Sequence, residues 1–100
     1  MTSETETNRE WTPVEPVTED VKKICIEEQS EIEKKAGTSF PHFTPLSFRL
    51  QTEAGIFYLV KVQTGEDVCV HAIIHKSDGG ILTVTGVLYP KLLTDPLVPF

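Results

Sequence analysis

The sequence predicts an α+β domain in which an antiparallel meander of four to five strands wraps around one N-terminal helix. Three observations carry that expectation. Apolar residues recur at helical spacing only between Thr18 and Gly37. From Pro45 onward the period switches to two. Short turn-forming clusters separate the alternating stretches, with no second helical stretch between them. A meander with its helix on one face accounts for all three.

Each element has its own local reason. Thr18 can cap the helix, Glu19 and Asp20 complement the positive end of its dipole, Lys34 and Lys35 occupy its last turn, and Gly37 stops it. Val21, Ile24, Cys25 and Ile32 fall on one stripe, while Lys22, Lys23, Glu27, Glu31 and Lys34 face away as a solvated surface. Glu28 also falls on the stripe and is expected at its wet edge. In the first alternating stretch Leu46, Phe48 and Leu50 alternate with Ser47, Arg49 and Gln51. The next strand covers Ile56 to Gln63, and Thr64-Gly65-Glu66-Asp67 turns the chain. Val68 to Lys76 follows with Val70, Ala72 and Ile74 on one face. Ser77-Asp78-Gly79-Gly80 turns again, and a last strand runs from Ile81 to about Tyr89. Pro90, Pro96 and Pro99 restrict the tail to an edge or loop over much of its length. Residues 1–12 read as a flexible arm, and 13–100 as a single domain.

A chain of 100 residues, 39% hydrophobic and 24% charged, has the composition of one globular domain with one core. A net charge of −6 with nine scattered Lys and Arg argues against nucleic acid and anionic membrane, because phosphate recognition needs clustered positive charge. The N-terminal Met-Thr-Ser-Glu-Thr-Glu lacks the basic and apolar regions of a secretion signal, and two cysteines do not make a disulfide scaffold. The expectation is a cytoplasmic, reducing setting.

Alternate turns of a meander lie at the same end, so the loop Gln51-Thr52-Glu53-Ala54-Gly55 and the loop Ser77-Asp78-Gly79-Gly80 should be neighbours. Together they would form a wedge suited to a cleft. The stretch "QTEAG" resembles the Gln-Val-Val-Ala-Gly first hairpin of stefins, the intracellular branch of the cystatin family of cysteine-protease inhibitors. Gln51, Ala54 and Gly55 match, and "FYLVKV", "VKVQTGEDVCVHAIIHKS" and the terminal Phe100 extend the similarity over roughly residues 16 to 100.

The resemblance implies a cystatin-like fold and reversible competitive inhibition of papain-like cysteine proteases, the cathepsins among them. The contacts would be the two loops and an N-terminal trunk, which alignment on the helix places at Arg9, Glu10 and Trp11. It implies no enzymatic activity, no cofactor and no metal, and a monomer able to form a domain-swapped dimer. Three departures stand against the family pattern. The trunk lacks its glycine, the second loop is shortened and lacks an apolar tip, and Glu53 stands where stefins carry valine. These motivate a different reading, a stefin-fold interaction or self-associating protein with weak or lost inhibition.

Trp11 fits two roles, docking on its own sheet or anchoring the trunk. Cys69, His71 and His75 share one strand face, yet His75 lies about 13 Å from His71 at ~3.3 Å per residue. Exposed sheet residues are therefore expected there rather than metal ligands. Nothing orders a base for a Cys/His nucleophile pair.

Overall fold

The computed structural model describes residues 10–100. Its five strands, β1 (Glu15–Pro16), β2 (Thr44–Thr52), β3 (Ile56–Gln63), β4 (Val68–Lys76) and β5 (Leu82–Leu92), form one antiparallel sheet in sequence order. The helix lies in the connection between β1 and β2, and its apolar stripe packs against the sheet.

The helix begins as its sequence requires, with the Thr18 hydroxyl accepting from the Val21 amide at 3.3 Å. It ends at Gly37 in a left-handed conformation, φ 82°. One continuous helix was the expectation; two segments are observed, α1 (Glu19–Glu27) and α2 (Gln29–Ala36), separated by Glu28 at φ −100°, ψ 10°. Hydrogen bonds from Glu28 N to Ile24 O and from Ile32 N to Glu28 O carry the ladder across the interruption. The break falls where the inward stripe carries a carboxylate. Half-buried, Glu28 has its carboxyl held above the usual range by burial first, then by Glu31 and Glu27.

The inner core joins Val21, Ile24, Cys25 and Ile32 of the helix to Phe48, Tyr58, Val60, Val62, Val70, Ala72, Ile74 and Val84 of the sheet. The face expected for β4, Val70, Ala72 and Ile74, is thus realised. In β2, Phe48 is buried while Leu46 and Leu50 are partly covered, and the register shifts between Pro45 and Ser47. β5 continues past Tyr89 to Leu92, accommodating Pro90 because it forms an edge of the sheet.

The opposite face of the sheet is covered as well, and here the sequence expectation fails. Cys69 and His71 are buried, at 0% and 1% exposure, and only His75 is partly exposed. The C-terminal tail crosses this face as a strap. The Lys61 ammonium donates to the carbonyls of Leu93 and Asp95, Arg49 Nη1 donates to Leu97 O at 2.8 Å, and Leu93 N donates to Asp67 O. Leu97 then packs on Leu59 and Ile73, with Trp11 and Phe57 against the same cluster. By parity alone Lys61 and Arg49 are outward charges; in the fold they hold backbone carbonyls of a distant segment.

Candidate functional site

Two hairpins share the sheet end opposite the Thr64–Asp67 turn. In the first, Gln51 pairs with Phe57 and Thr52 with Ile56, so the turn itself is Glu53-Ala54-Gly55, shorter than the five residues of the motif. Glu53 N donates to Gly55 O at 3.0 Å. Ala54 and Gly55 both have positive φ, 50° and 105°. Gly55 is required twice over: its φ is a glycine conformation, and a Cβ there would lie 2.3 Å from Lys76 O. The missing side chain is what lets the first loop press against the start of the second.

The second loop is closed on itself. Ser77 N donates to Ile81 O at 2.9 Å, Ile81 N to the Ser77 hydroxyl at 3.0 Å, and Gly80 N to Ser77 O at 2.9 Å. Asp78 and Gly79 form its exposed tip, with Gly80 at φ 90° beside them. Sequence reasoning assigned Ile81 to the last strand. It lies instead in the loop at 69% exposure, the most exposed large apolar side chain among the described residues. Its signal was available in the sequence, since Ile81 follows the turn-forming Gly79-Gly80 directly.

The first loop is held to the end of β4, just before the second loop, by a contact that sequence reasoning missed. The β3–β4 register sets His75 opposite Phe57, and His75 Nε2 lies 2.7 Å from Ala54 O. Parity put His75 on the right face of its strand but could not show that the preceding hairpin folds back over it.

The N-terminal segment reaches the same end. Thr12 N donates to Leu50 O and its hydroxyl accepts from Leu50 N, each at 2.8 Å, so the chain runs antiparallel along β2 toward the first loop. Arg49 Nε fixes Thr12 O at 2.8 Å. Glu10 is exposed, whereas Trp11 is half-buried against Leu59, Ile73 and Leu97. Of the two roles open to Trp11, docking on its own sheet is the one observed. Arg9 lies outside the described residues.

Cys25 and Cys69 are free and buried; burial pushes the Cys25 thiol up to about 12, and Cys69 is raised by burial against the opposing pull of Lys61. His71 is pushed down to about 4 by burial first, then by Lys61 and Lys91, with Asp95 acting in the other direction. Among the described residues no three His, Cys, Asp or Glu side chains are grouped to hold a metal ion. A recess of about 360 Å³ between α1 and the second hairpin carries opposed charges, Asp20 and Glu27 with Lys23 and Lys76, beside Tyr58 and Leu82.

No protein-family model matches the chain. Among curated proteins, cystatin-B of Oplegnathus fasciatus is 33% identical over 85 residues, covering 82% of this chain and 85% of its own. Cystatin-A of Bos taurus is 29% identical over 92 residues, 89% of this chain and 94% of its own. Stefin-C of Bos taurus is 34% identical over 67 residues, 67% of this chain and 66% of its own. With a helix-backed antiparallel sheet and paired hairpins at one end, this extent of identity makes the chain a member of the cystatin family of cysteine-protease inhibitors, in its stefin branch.

Proposed function

We propose that this protein is a reversible competitive inhibitor of papain-like cysteine proteases, cathepsins included, acting in the cytoplasm as a monomer. Glu53-Ala54-Gly55, with Gln51 and Thr52 behind them, form the first contact. Ser77 to Gly80 form the second, and the segment Arg9-Glu10-Trp11 the third. The observation that carries this reading is the placing of the two hairpins side by side at one end of the sheet, with the first loop held against the end of β4, where the second loop begins, by His75 on Ala54 O and the close approach of Gly55 to Lys76 O and Ser77 Cα. A prebuilt edge loses little conformational freedom on entering a cleft, so more of its contact energy is retained as affinity. Ala54 and Gly55 present a low profile that backbone on the enzyme side can approach closely. The two free, buried thiols support the cytoplasmic setting.

Titrating papain and a lysosomal cathepsin with the protein tests the proposal: activity should fall stoichiometrically. Two observations favour the rival reading of a stefin-fold interaction or self-associating protein. Trp11 is engaged with its own sheet, and an exposed carboxylate, Glu53, stands at the tip. Full activity of several such enzymes at micromolar protein would select that rival.

A further inference from the structure

We propose that His75 is the positioning residue of the first hairpin loop, holding the Ala54 carbonyl and thereby fixing the edge that an enzyme cleft would meet; the second half of this statement rests on the inhibitory reading. A carbonyl only accepts, so at 2.7 Å the hydrogen lies on His75 Nε2 and is donated to Ala54 O. The ring is itself held: Phe57, opposite His75 in the ladder, places its ring centroid 4.5 Å away and packs on the Leu59–Ile73 cluster. The imidazole therefore stands between a fixed aromatic surface and the loop.

The loop needs such a clamp. Ala54 is held at φ 50°, a left-handed conformation that is unfavourable for a non-glycine residue. A turn bond from Glu53 N to Gly55 O closes it. Gly55 allows the loop to fold back over the end of β4, since the space a Cβ would fill is taken by Lys76 O and by His75 Nε2 itself, at 3.0 Å. Glycine permits that conformation without enforcing it. The His75 bond selects it, and without that bond the loop spreads over alternatives, lowering apparent affinity by the fraction that remains competent. A partly exposed hydrogen bond of this kind corresponds to roughly two- to tenfold.

Two full-length variants test this. His75→Phe keeps an aromatic ring against Phe57 and removes the donor; His75→Gln restores an amide donor near the Nε2 position. In the free protein, backbone amide resonances of residues 53–55 and 77 should shift and lose order in His75→Phe, while those of α1 and α2 stay in place, and His75→Gln should recover the wild-type pattern. Association with papain should slow by about fivefold in the first variant and recover in the second. Wild-type loop order in His75→Phe, or a His75→Gln variant no better than it, would overturn the proposal. If the wild-type chain does not bind papain at all, the inhibitory reading fails separately, and the amide resonances still decide whether His75 holds the loop.

Discussion

Glu53 is an exposed residue at the tip of the edge, and entering a narrow cleft would take water from its carboxylate. Glu53→Val is therefore expected to tighten binding to papain by about 30- to 150-fold, the equivalent of about 2–3 kcal/mol. An unchanged or weaker inhibition constant would mean that the enzyme compensates the charge or that this loop stays outside. On the far face of the sheet, His71 carries a second consequence. Its folded-state value, about 4, lies below its ordinary 6.5, so the unfolded chain binds the proton more readily. Stability from this group is complete above pH 6.5 and falls as the pH drops toward 4, by up to about 3 kcal/mol. Burial sets it first, the Lys61 and Lys91 charges lower it further, and Asp95 opposes them. Denaturant midpoints from pH 7 to 4 should show the decline, and His71→Leu should flatten it; an equal slope in the variant would refute the assignment. The position of Gly55 was legible from its motif, because a tight turn has few chemical solutions. The burial of Cys69 and His71 was not, because it depends on a segment more than twenty residues downstream.

The elements divide along the same line. Helix cap, helix stop and strand alternation are set by neighbours in sequence, and the Thr18 cap, the Gly37 end and the β4 face are found where local chemistry puts them. The break at Glu28 was foreshadowed only by a carboxylate on an apolar stripe. The strap over the outer face left no periodic signal, since it is held by backbone carbonyls of residues 93, 95 and 97 on Lys61 and Arg49. Ordinary outward-facing lysines and arginines read identically in sequence. The placing of the two hairpins side by side was half legible: connectivity put them at one end, but the His75 bond depends on the β3–β4 register. At this scale the N-terminal segment gives a prediction. Deleting residues 1–10 should leave the melting temperature nearly unchanged, since the segment is polar and Glu10 is exposed. Deleting Trp11 as well uncovers Leu59, Ile73 and Leu97 and should lower it by about 4–8 °C per kcal/mol of packing lost. Equal melting temperatures for the two truncations would show that the indole contributes no stability.

At the scale of the whole molecule, the hairpin that forms the edge also joins the two longest-paired parts of the fold, α1 through β2 on one side and β3 through β5 on the other. Straightening residues 51–55 would merge β2 and β3 into one strand and allow two copies to exchange their N-terminal halves. Because the same residues are the first contact, an exchanged dimer should not inhibit. Size-exclusion chromatography after partial unfolding and refolding, with inhibition assayed on each fraction, checks this; a dimer as potent as the monomer would contradict the assignment of the hinge. The central claim is that one prebuilt edge occupies the substrate cleft of a papain-like enzyme. It is tested most directly by measuring inhibition of papain across a range of peptide-substrate concentrations. Competitive occupation predicts an apparent inhibition constant that rises linearly with substrate, while an apparent constant independent of substrate, or full activity at micromolar protein, would contradict it.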